Sequence, residues 1–204
     1  TYTRFLDLQK AEAQAREAKI ETALERVRSR TLAMQKSDEL AETAAVLFQQ
    51  LILLGIEPNR LYICIAQNEN GDVEFWITDE DGSKVSMAYE DNLNNNSSFK
   101  KMFAGWKKQQ KSLVIDMKGE ELQEYFKYLN SIHVPFKGGM AQQRRLQYIA
   151  YFNKGFIGMA SPDEQPEDTL QLLERFAGVF NLTFTRFNDL KMSEPHELHA
   201  DQNL

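Results

Sequence analysis

The chain has 204 residues, of which 42% are hydrophobic and 26% are charged, a composition typical of a globular protein with one sizeable domain. Its net charge of −6 argues against non-specific binding to nucleic acid or to an anionic membrane. Cys64 is the only cysteine, which excludes a disulfide within the chain, and no apolar run approaches the roughly 20 residues of a membrane span. We therefore expect a cytoplasmic protein that binds neither nucleic acid nor membrane.

The first predicted element is a long helix over residues 6–34, which contain neither glycine nor proline and are mostly good helix formers. A helix of this length spans about 40 Å and would project beyond a small domain. Its apolar residues follow the spacing of a coiled coil, with a repeat of seven at Leu6, Ala13, Ile20, Val27 and Met34. We predict a parallel homodimer through Leu6, Ile20, Leu24, Val27 and Met34. The alternative is a monomer in which this helix packs on its own sheet.

Two segments near opposite ends of the chain resemble each other. Residues 3–10 (TRFLDLQK) and residues 185–192 (TRFNDLKM) share a threonine, an arginine, a phenylalanine, an aspartate and a leucine, and residue 185 lies 182 positions after residue 3. Both segments lie in predicted helices. We interpret the match as the sign of a tandem array with a period near 182 residues, so that this chain is a piece of a larger protein.

The middle of the chain alternates helices with strands. A second helix is predicted from Ser37 to Leu54 and ends at Gly55. Three further helices are predicted: a short one that begins at Ser97 or Ser98, one at about 120–132, and a long final one from about 165. Strands are predicted at 61–67, 72–78, 84–89, 112–116, 146–152 and 156–160.

Turns of the hairpin type, such as Asn70-Gly71, join several of these strands. We therefore predict an α+β fold with an antiparallel sheet of about six strands, in which residues 61–67 are central. Helices from the two chain ends should cover one face, and the middle helices should cover the other. The predicted organisation is a coiled-coil or linker helix at 1–36, a sensor domain at 37–192 and a disordered tail at 193–204.

This order of elements resembles the GAF domain. Residues 23–40 (ALERVRSRTLAMQKSDEL), 53–56 (LLGI) and 75–79 (FWITD) look like the GAF-like modules of multidomain bacterial signalling proteins. The resemblance covers about residues 11–192. It implies a regulatory input module, often in tandem, upstream of a histidine kinase of a two-component system, a nucleotide cyclase or a DNA-binding output, which would lie elsewhere in the full-length chain.

The resemblance does not identify a ligand or a cofactor. Cyclic-nucleotide, bilin and haem binders of the GAF superfamily need specific pocket residues, and no such motif aligns with this chain. Cys64 lies in the first predicted strand, which is not where bilin-attaching domains place their cysteine. The cofactor is therefore left unknown.

No segment has the spacing of a catalytic or metal site. Residues 137–140 (KGGM) lack the Gly-Lys-Ser/Thr ending of a phosphate-binding loop. Residues 196–199 (HELH) are one residue short of the spacing by which two histidines on a helix bind zinc. We interpret the two segments as a loop and a tail, and we predict that the chain is not an enzyme.

Aromatic residues are the candidates for a ligand site. Aromatic side chains make up 11% of the chain, and large rings are suited to small-molecule pockets. The rings predicted to line a cavity between the sheet and the middle helices are Tyr89, Phe99, Phe103, Trp106, Phe126 and Tyr148. The alternative is that these rings fill an ordinary hydrophobic core and that the module is a ligand-free dimerisation scaffold.

Overall fold

The computed structural model describes residues 2–57, 60–79, 85–136 and 139–194. The helices in these ranges are α1 (Tyr2–Ala33), α2 (Leu40–Leu53), α3 (Ser97–Lys107), α4 (Gly119–Ser131) and α5 (Thr169–Ser193), with short 3-10 helices at Ser37–Glu39 and Gly139–Ala141. The strands are β1 (Arg60–Ala66), β2 (Asp72–Thr78), β3 (Val85–Asn92), β4 (Ser112–Lys118), β5 (Arg144–Phe152) and β6 (Gly155–Ser161). Within the same ranges, no helix is both long enough and apolar enough to cross a membrane.

The six strands form one antiparallel sheet in the order β3-β2-β1-β6-β5-β4. This confirms the predicted α+β architecture and the central position of the first strand. The two central strands, β1 and β6, are buried along almost their whole length because helices cover both faces of the sheet. The chain turns back from β1 to β2 at Gly71, whose φ of 96° favours glycine.

Helices α1, α2 and α5 cover one face of the sheet, as predicted. Strand β1 contributes Leu61, Ile63 and Ile65 to this core, and α5 contributes Phe176 and Phe180, which are fully buried. The spacing of four residues between the two phenylalanines places both rings on one side of α5. This face holds the larger of two hydrophobic clusters.

Helices α3 and α4 and the segment 134–136 cover the other face. The cluster on this side contains Tyr62 and Cys64 of β1, which point away from Leu61 and Ile63 because successive side chains of a strand alternate between faces. Helix α3 is capped at its N-terminus by Asn96, whose side chain accepts a hydrogen bond of 2.8 Å from the amide of Ser98. The predicted cap at Ser97 or Ser98 is therefore one or two residues too late.

The second half of α1 packs one of its sides against its own chain. Ile20, Leu24, Val27 and Met34 belong to the core formed with α2 and α5. The prediction that these four side chains form a dimer interface is wrong, because the chain's own helices already cover them. Of the five predicted interface residues only Leu6 is exposed, so homodimerisation stays a prediction for that part of α1 alone.

The chain turns sharply between α1 and α2. We call residues 31–37 at this turn the elbow. Glu39 stabilises it: one carboxylate oxygen accepts hydrogen bonds from the amides of Gln35 and Lys36, and the other accepts from Arg30. At the other end of the chain, α5 continues through Ser193, so the predicted start of the tail at residue 193 is one residue too early. Residues 195–204, with the HELH segment, lie outside the described residues.

Candidate functional site

A small cavity lies between the sheet and the middle helices, on the face away from α1, α2 and α5. Its volume is about 30 Å³, which corresponds to about two water molecules. Its polar lining consists of Arg60, Tyr62, Tyr89, Tyr125 and Arg145. Its apolar walls include Phe75, Ile77, Phe99, Met102, Leu129, Val134 and Phe136. None of the described residues that line it is an aspartate or a glutamate.

Strand alternation brings the two arginines to the cavity. Arg145 lies on the cavity face of β5, whereas its neighbour Arg144 is half-buried, does not line the cavity and forms a two-point ion pair with Asp116. Arg60 reaches the same cavity from the start of β1. Arg60 is 5% exposed and Arg145 is 2% exposed. Two guanidinium groups are therefore held out of bulk water beside one small space.

A glycine makes room for the ring of Tyr62. Gly158 on β6 lies opposite Tyr62 in the register of the sheet. A Cβ atom at position 158 would lie 2.1 Å from the Tyr62 ring, far inside van der Waals contact. The Tyr62 ring therefore lies across β6 only because residue 158 has no side chain.

The cavity side chains are joined by hydrogen bonds. The Tyr62 hydroxyl donates to Oε1 of Gln147 over 2.8 Å, and Nε2 of Gln147 donates to the Tyr125 hydroxyl over 3.2 Å. Since the Tyr125 oxygen is the acceptor in this chain, its own proton remains for a further acceptor. Gln147 thus fixes the orientation of both tyrosines.

Burial keeps these tyrosines protonated. Loss of hydration raises the pKa of Tyr62, Tyr89 and Tyr125 above the ordinary value near 10. The nearby positive charge of Arg145 acts in the opposite direction on the pKa of both Tyr62 and Tyr125. At neutral pH the polar lining therefore contains tyrosine O–H groups and arginine N–H groups, both of which are hydrogen-bond donors.

The guanidinium of Arg145 is held by neighbours on two sides. Its Nη1 donates to Oε1 of Gln142 over 3.3 Å, and its Cζ lies 5.9 Å from the centre of the Phe126 ring. Phe126 in turn stacks on Phe136 with ring centres 4.5 Å apart. These contacts orient the planar group, which is the form in which arginine binds carboxylate or phosphate groups at two points.

Five of the six predicted rings divide into three groups. Tyr89 and Phe99 line the cavity, and Phe126 lies behind Arg145. Phe103 and Trp106 stack on each other outside the cavity, where the Trp106 indole donates to the carbonyl oxygen of Asn153 over 3.2 Å. Trp106 therefore lies beside a surface depression with Lys107 and is not in the cavity, contrary to the prediction.

The prediction for Tyr148 is wrong. Its ring belongs to the core under the terminal helices, and its hydroxyl accepts a hydrogen bond of 2.9 Å from the amide of Gln165. The physical reason is strand alternation: on β5 the cavity face carries Arg145, Gln147 and Ile149. Tyr148 lies between them in sequence and points to the opposite face.

The prediction also missed the polar part of the site. Arg60, Tyr62, Tyr125, Arg145 and Gln147 were not among the candidates. Arg145 and Gln147 are polar residues two positions apart that lead into an apolar strand, which is normally read as a solvent-facing edge. The signal that marks them as interior is that helices are predicted on both faces of the sheet, so neither face of β5 is open to water.

Cys64 has no part in this site. Its thiol is buried, and burial raises its pKa well above the ordinary value, so the thiolate is suppressed. Within the described ranges, no group of three or more His, Cys, Asp or Glu side chains is placed to hold a metal ion.

Comparisons with known proteins identify related folds only. No protein-family model matches the sequence, and no curated protein matches it significantly. The structure is similar to the GAF domain of an Acinetobacter phosphoenolpyruvate-protein phosphotransferase, with a TM-score of 0.46 and 11% sequence identity over 86% of this chain and 96% of that chain. It is also similar to the phycoerythrobilin-bound GAF domain of a cyanobacterial phytochrome, with a TM-score of 0.45 and 13% identity over 81% of this chain and 96% of that chain. At these values the function of neither protein transfers to this chain.

Proposed function

We propose that the chain is a GAF-like regulatory module of a bacterial signalling protein, and that its cavity binds a small oxyanion or a short carboxylate. The observation that carries the proposal is the pair of buried arginines beside one cavity, with tyrosine hydroxyls as further donors. Guanidinium groups shielded from bulk water bind planar anions strongly, because their N–H donors match the anion oxygens in position and charge.

The size of the cavity restricts the ligand. Pockets for drug-sized molecules measure about 300–1,000 Å³, whereas this cavity has about 30 Å³. The fit is to an anion of a few heavy atoms, such as nitrate or formate. A bilin, a haem or a cyclic nucleotide would need the packing of Phe99 and Tyr125, whose ring centres are 6.2 Å apart, to open first.

We propose that the bound state is relayed through the central strands to the terminal helices. Strand β1 carries a cavity residue between two residues of the opposite core, since Tyr62 lies between Leu61 and Ile63. A displacement of the Tyr62 ring therefore bears directly on the strand that α5 and α2 cover. The output domain would lie elsewhere in the full-length protein, as the resemblance implies.

The experiment is a thermal unfolding series with sodium nitrate, formate and phosphate against sodium chloride at equal ionic strength. An anion at about 100 times its Kd stabilises the folded state by about 2.7 kcal/mol, which raises the Tm of a domain of this size by roughly 5–10 °C. We expect such a rise for at least one of the three anions and none with chloride.

Arg145→Met should abolish the anion-dependent rise, and the matched control Arg144→Met should keep it. The two residues are neighbours on β5, but only Arg145 faces the cavity. If Arg145→Met does not fold, Tyr89→Phe, which removes one hydroxyl from the cavity, should reduce the rise instead. An unchanged Tm with all three anions, or an equal rise in both arginine variants, would contradict the proposal.

The second candidate is a ligand-free structural module. The close packing of the middle face favours it, since Phe126 and Met117 are fully buried and the remaining space is small. Native mass spectrometry of freshly purified protein separates the two candidates. A co-purifying small anion supports the sensor, and a bare chain that no anion stabilises supports the structural module.

A further inference from the structure

The first part of α1 has no packing partner in this chain. Residues 2–19 of the helix are all exposed, and they include large apolar side chains. Phe5 is 56% exposed and Leu8 is 57% exposed. Burial of α1 begins only at Ile20. A helical segment of 18 residues that carries apolar side chains into water is a surface that fits a partner.

The end of α5 is similar in sequence to the start of this segment. Placed at the offset of 182 positions, residues 1–12 and 183–194 are identical at seven of twelve positions. The identical pairs are Thr1 and Thr183, Thr3 and Thr185, Arg4 and Arg186, Phe5 and Phe187, Asp7 and Asp189, Leu8 and Leu190, and Glu12 and Glu194. An eighth pair, Tyr2 and Phe184, is aromatic in both segments.

The α5 copy of this sequence is docked on the elbow. Thr183 forms a buried hydrogen bond of 2.6 Å with Thr31, and Arg186 donates to the carbonyl oxygen of Met34 over 3.2 Å. The carboxylate of Glu194 accepts two hydrogen bonds of 2.8 Å from the amide and the hydroxyl of Ser37.

Two apolar side chains complete this contact. Leu190 is buried in the core under the terminal helices, and Phe187 packs against the same core. Polar and apolar contacts thus lie on one side of the last three turns of α5.

Identity between the two segments follows these contacts. The residues at the end of α5 and just after it that contact the elbow or the adjacent core are Thr183, Phe184, Arg186, Phe187, Leu190 and Glu194. Five of them recur in the first segment, and Phe184 corresponds to Tyr2. The four clearly different positions, Asn188, Lys191, Met192 and Ser193, are exposed in α5. The identities at Thr185 and Asp189 lie at exposed positions as well.

We propose that residues 1–12 dock on the elbow of a second domain with this fold that precedes this one in the polypeptide, in place of residues 183–194 of that domain. The last helix of the preceding domain and α1 are then one continuous helix. From Glu12 to Ile20, where burial of α1 begins, the helix rises about 12 Å. Two domains therefore stack closely along one helix. The proposal is independent of any ligand in the cavity.

The test is a tandem protein in which residues 1–182 are followed directly by residues 1–204. In this protein residues 1–12 of the second copy occupy the place of residues 183–194 of the first. We expect two folded domains. Leu8→Asp in the second copy should lower the unfolding midpoint of the first domain by about 5 °C or more, because it puts a charge into a buried contact. Leu8→Asp in the first copy is the matched control and should shift the unfolding midpoint of the first domain by less than about 1 °C.

Equal effects of Leu8→Asp in the two copies would overturn the proposal. If the tandem protein does not fold, the single chain gives an independent answer. The five substitutions Phe184→Tyr, Asn188→Leu, Lys191→Gln, Met192→Lys and Ser193→Ala convert the end of α5 into the sequence of residues 1–12.

This five-fold variant should keep its unfolding midpoint within about 2 °C of the original chain, because its elbow contacts are unchanged. The double variant Arg186→Ala, Leu190→Asp breaks those contacts and should lose about 5 °C or more. A loss in the five-fold variant as large as in the double variant would show that residues 1–12 do not fit the elbow.

Discussion

At the scale of single residues, the shape of the cavity depends on a glycine that has no side chain as well as on the side chains that line the cavity. Gly158 allows the Tyr62 ring to lie across β6, and this position of the ring allows the hydroxyl to reach Gln147. The hydrogen-bonded chain then continues to Tyr125. One absent methyl group therefore determines where three polar side chains of the cavity lie.

Gly158→Ala should destabilise the protein by about 1–3 kcal/mol, the cost of forcing a buried ring out of place. The Cβ would approach the Tyr62 ring to 2.1 Å. Gly178→Ala in α5 is the matched control: a Cβ there meets no atom within 4 Å, and alanine should stabilise the helix by about 0.5–1 kcal/mol. Urea unfolding of the two variants measures the change in the free energy of unfolding, which should be a loss for Gly158→Ala and a gain for Gly178→Ala. A neutral Gly158→Ala would show that Tyr62 has room to move.

The carboxylates that contact the elbow should make the stability of the folded chain depend on pH. Hydrogen bonds from Ser37 lower the pKa of Glu194, and hydrogen bonds from the amide of Gln35 and from Arg30 lower the pKa of Glu39, against an ordinary value of 4.5. A carboxylate whose pKa is lower in the folded state contributes stability above its unfolded pKa. That contribution is lost as the pH falls below about 4.5 toward the folded pKa.

Glu194→Gln should therefore lower the Tm at pH 7 and have little effect at low pH. Glutamine retains the shape but not the charge, and a protonated glutamate is equally neutral. The difference in Tm between the original chain and the variant should be greatest above about pH 5 and should shrink as the pH falls to about 3. A difference that does not change with pH would mean that charge at residue 194 contributes nothing to the contact with Ser37.

At the scale of elements, α1 is two segments with different surroundings in one continuous helix. The spacing of Ile20, Leu24, Val27 and Thr31 satisfies a coiled coil, and it equally satisfies burial against a helix of the same chain. The sequence alone does not separate these outcomes, because both need an apolar stripe every three or four residues. This is why the helix itself was predicted correctly and its packing partner was not.

Leu24→Ala and Leu6→Ala test this division by the same substitution in the same helix. Leu24 is 2% exposed and Leu6 is 45% exposed. Leu24→Ala should cost about 2–5 kcal/mol of unfolding free energy, the range for buried leucines. Leu6→Ala should cost less than about 0.5 kcal/mol in a monomer. Denaturant unfolding measures the loss of core packing in each variant, and sedimentation equilibrium measures any loss of self-association. Similar losses of unfolding free energy in the two variants would contradict the burial of Leu24 within one chain.

Strand β5 shows a second limit of sequence reasoning. Leu146, Tyr148, Ala150 and Phe152 face the terminal helices, but the residues between them include Ile149 and Tyr151, so both faces of the strand are apolar. Alternation then shows that a strand is present without showing which face meets which helices. The positions of the six strands along the chain followed from turns and β-branched residues, whereas the side of the sheet on which Tyr148 lies required the tertiary structure.

At the scale of the whole molecule, the sheet separates the regions to which the two proposals apply. One face carries the cavity and its two arginines, and the other carries the helices that lead to both ends of the chain. The surface on α1 and the cavity share no residue. Anion binding and domain stacking can therefore be tested and can fail independently.

The exposed part of α1 has a composition that bears on how a signal would travel. Residues 9–19 (QKAEAQAREAK) are alanine, glutamate, glutamine, lysine and arginine, which are among the strongest intrinsic helix formers. Most helices in proteins depend on packing for their stability, and an isolated helix of this length is marginal in water. Here intrinsic propensity replaces the missing contacts, so this segment keeps its backbone hydrogen bonds while it stands in solvent. A segment that stays helical without packing partners can transmit a rotation from one end to the other, whereas a flexible linker of the same length would not.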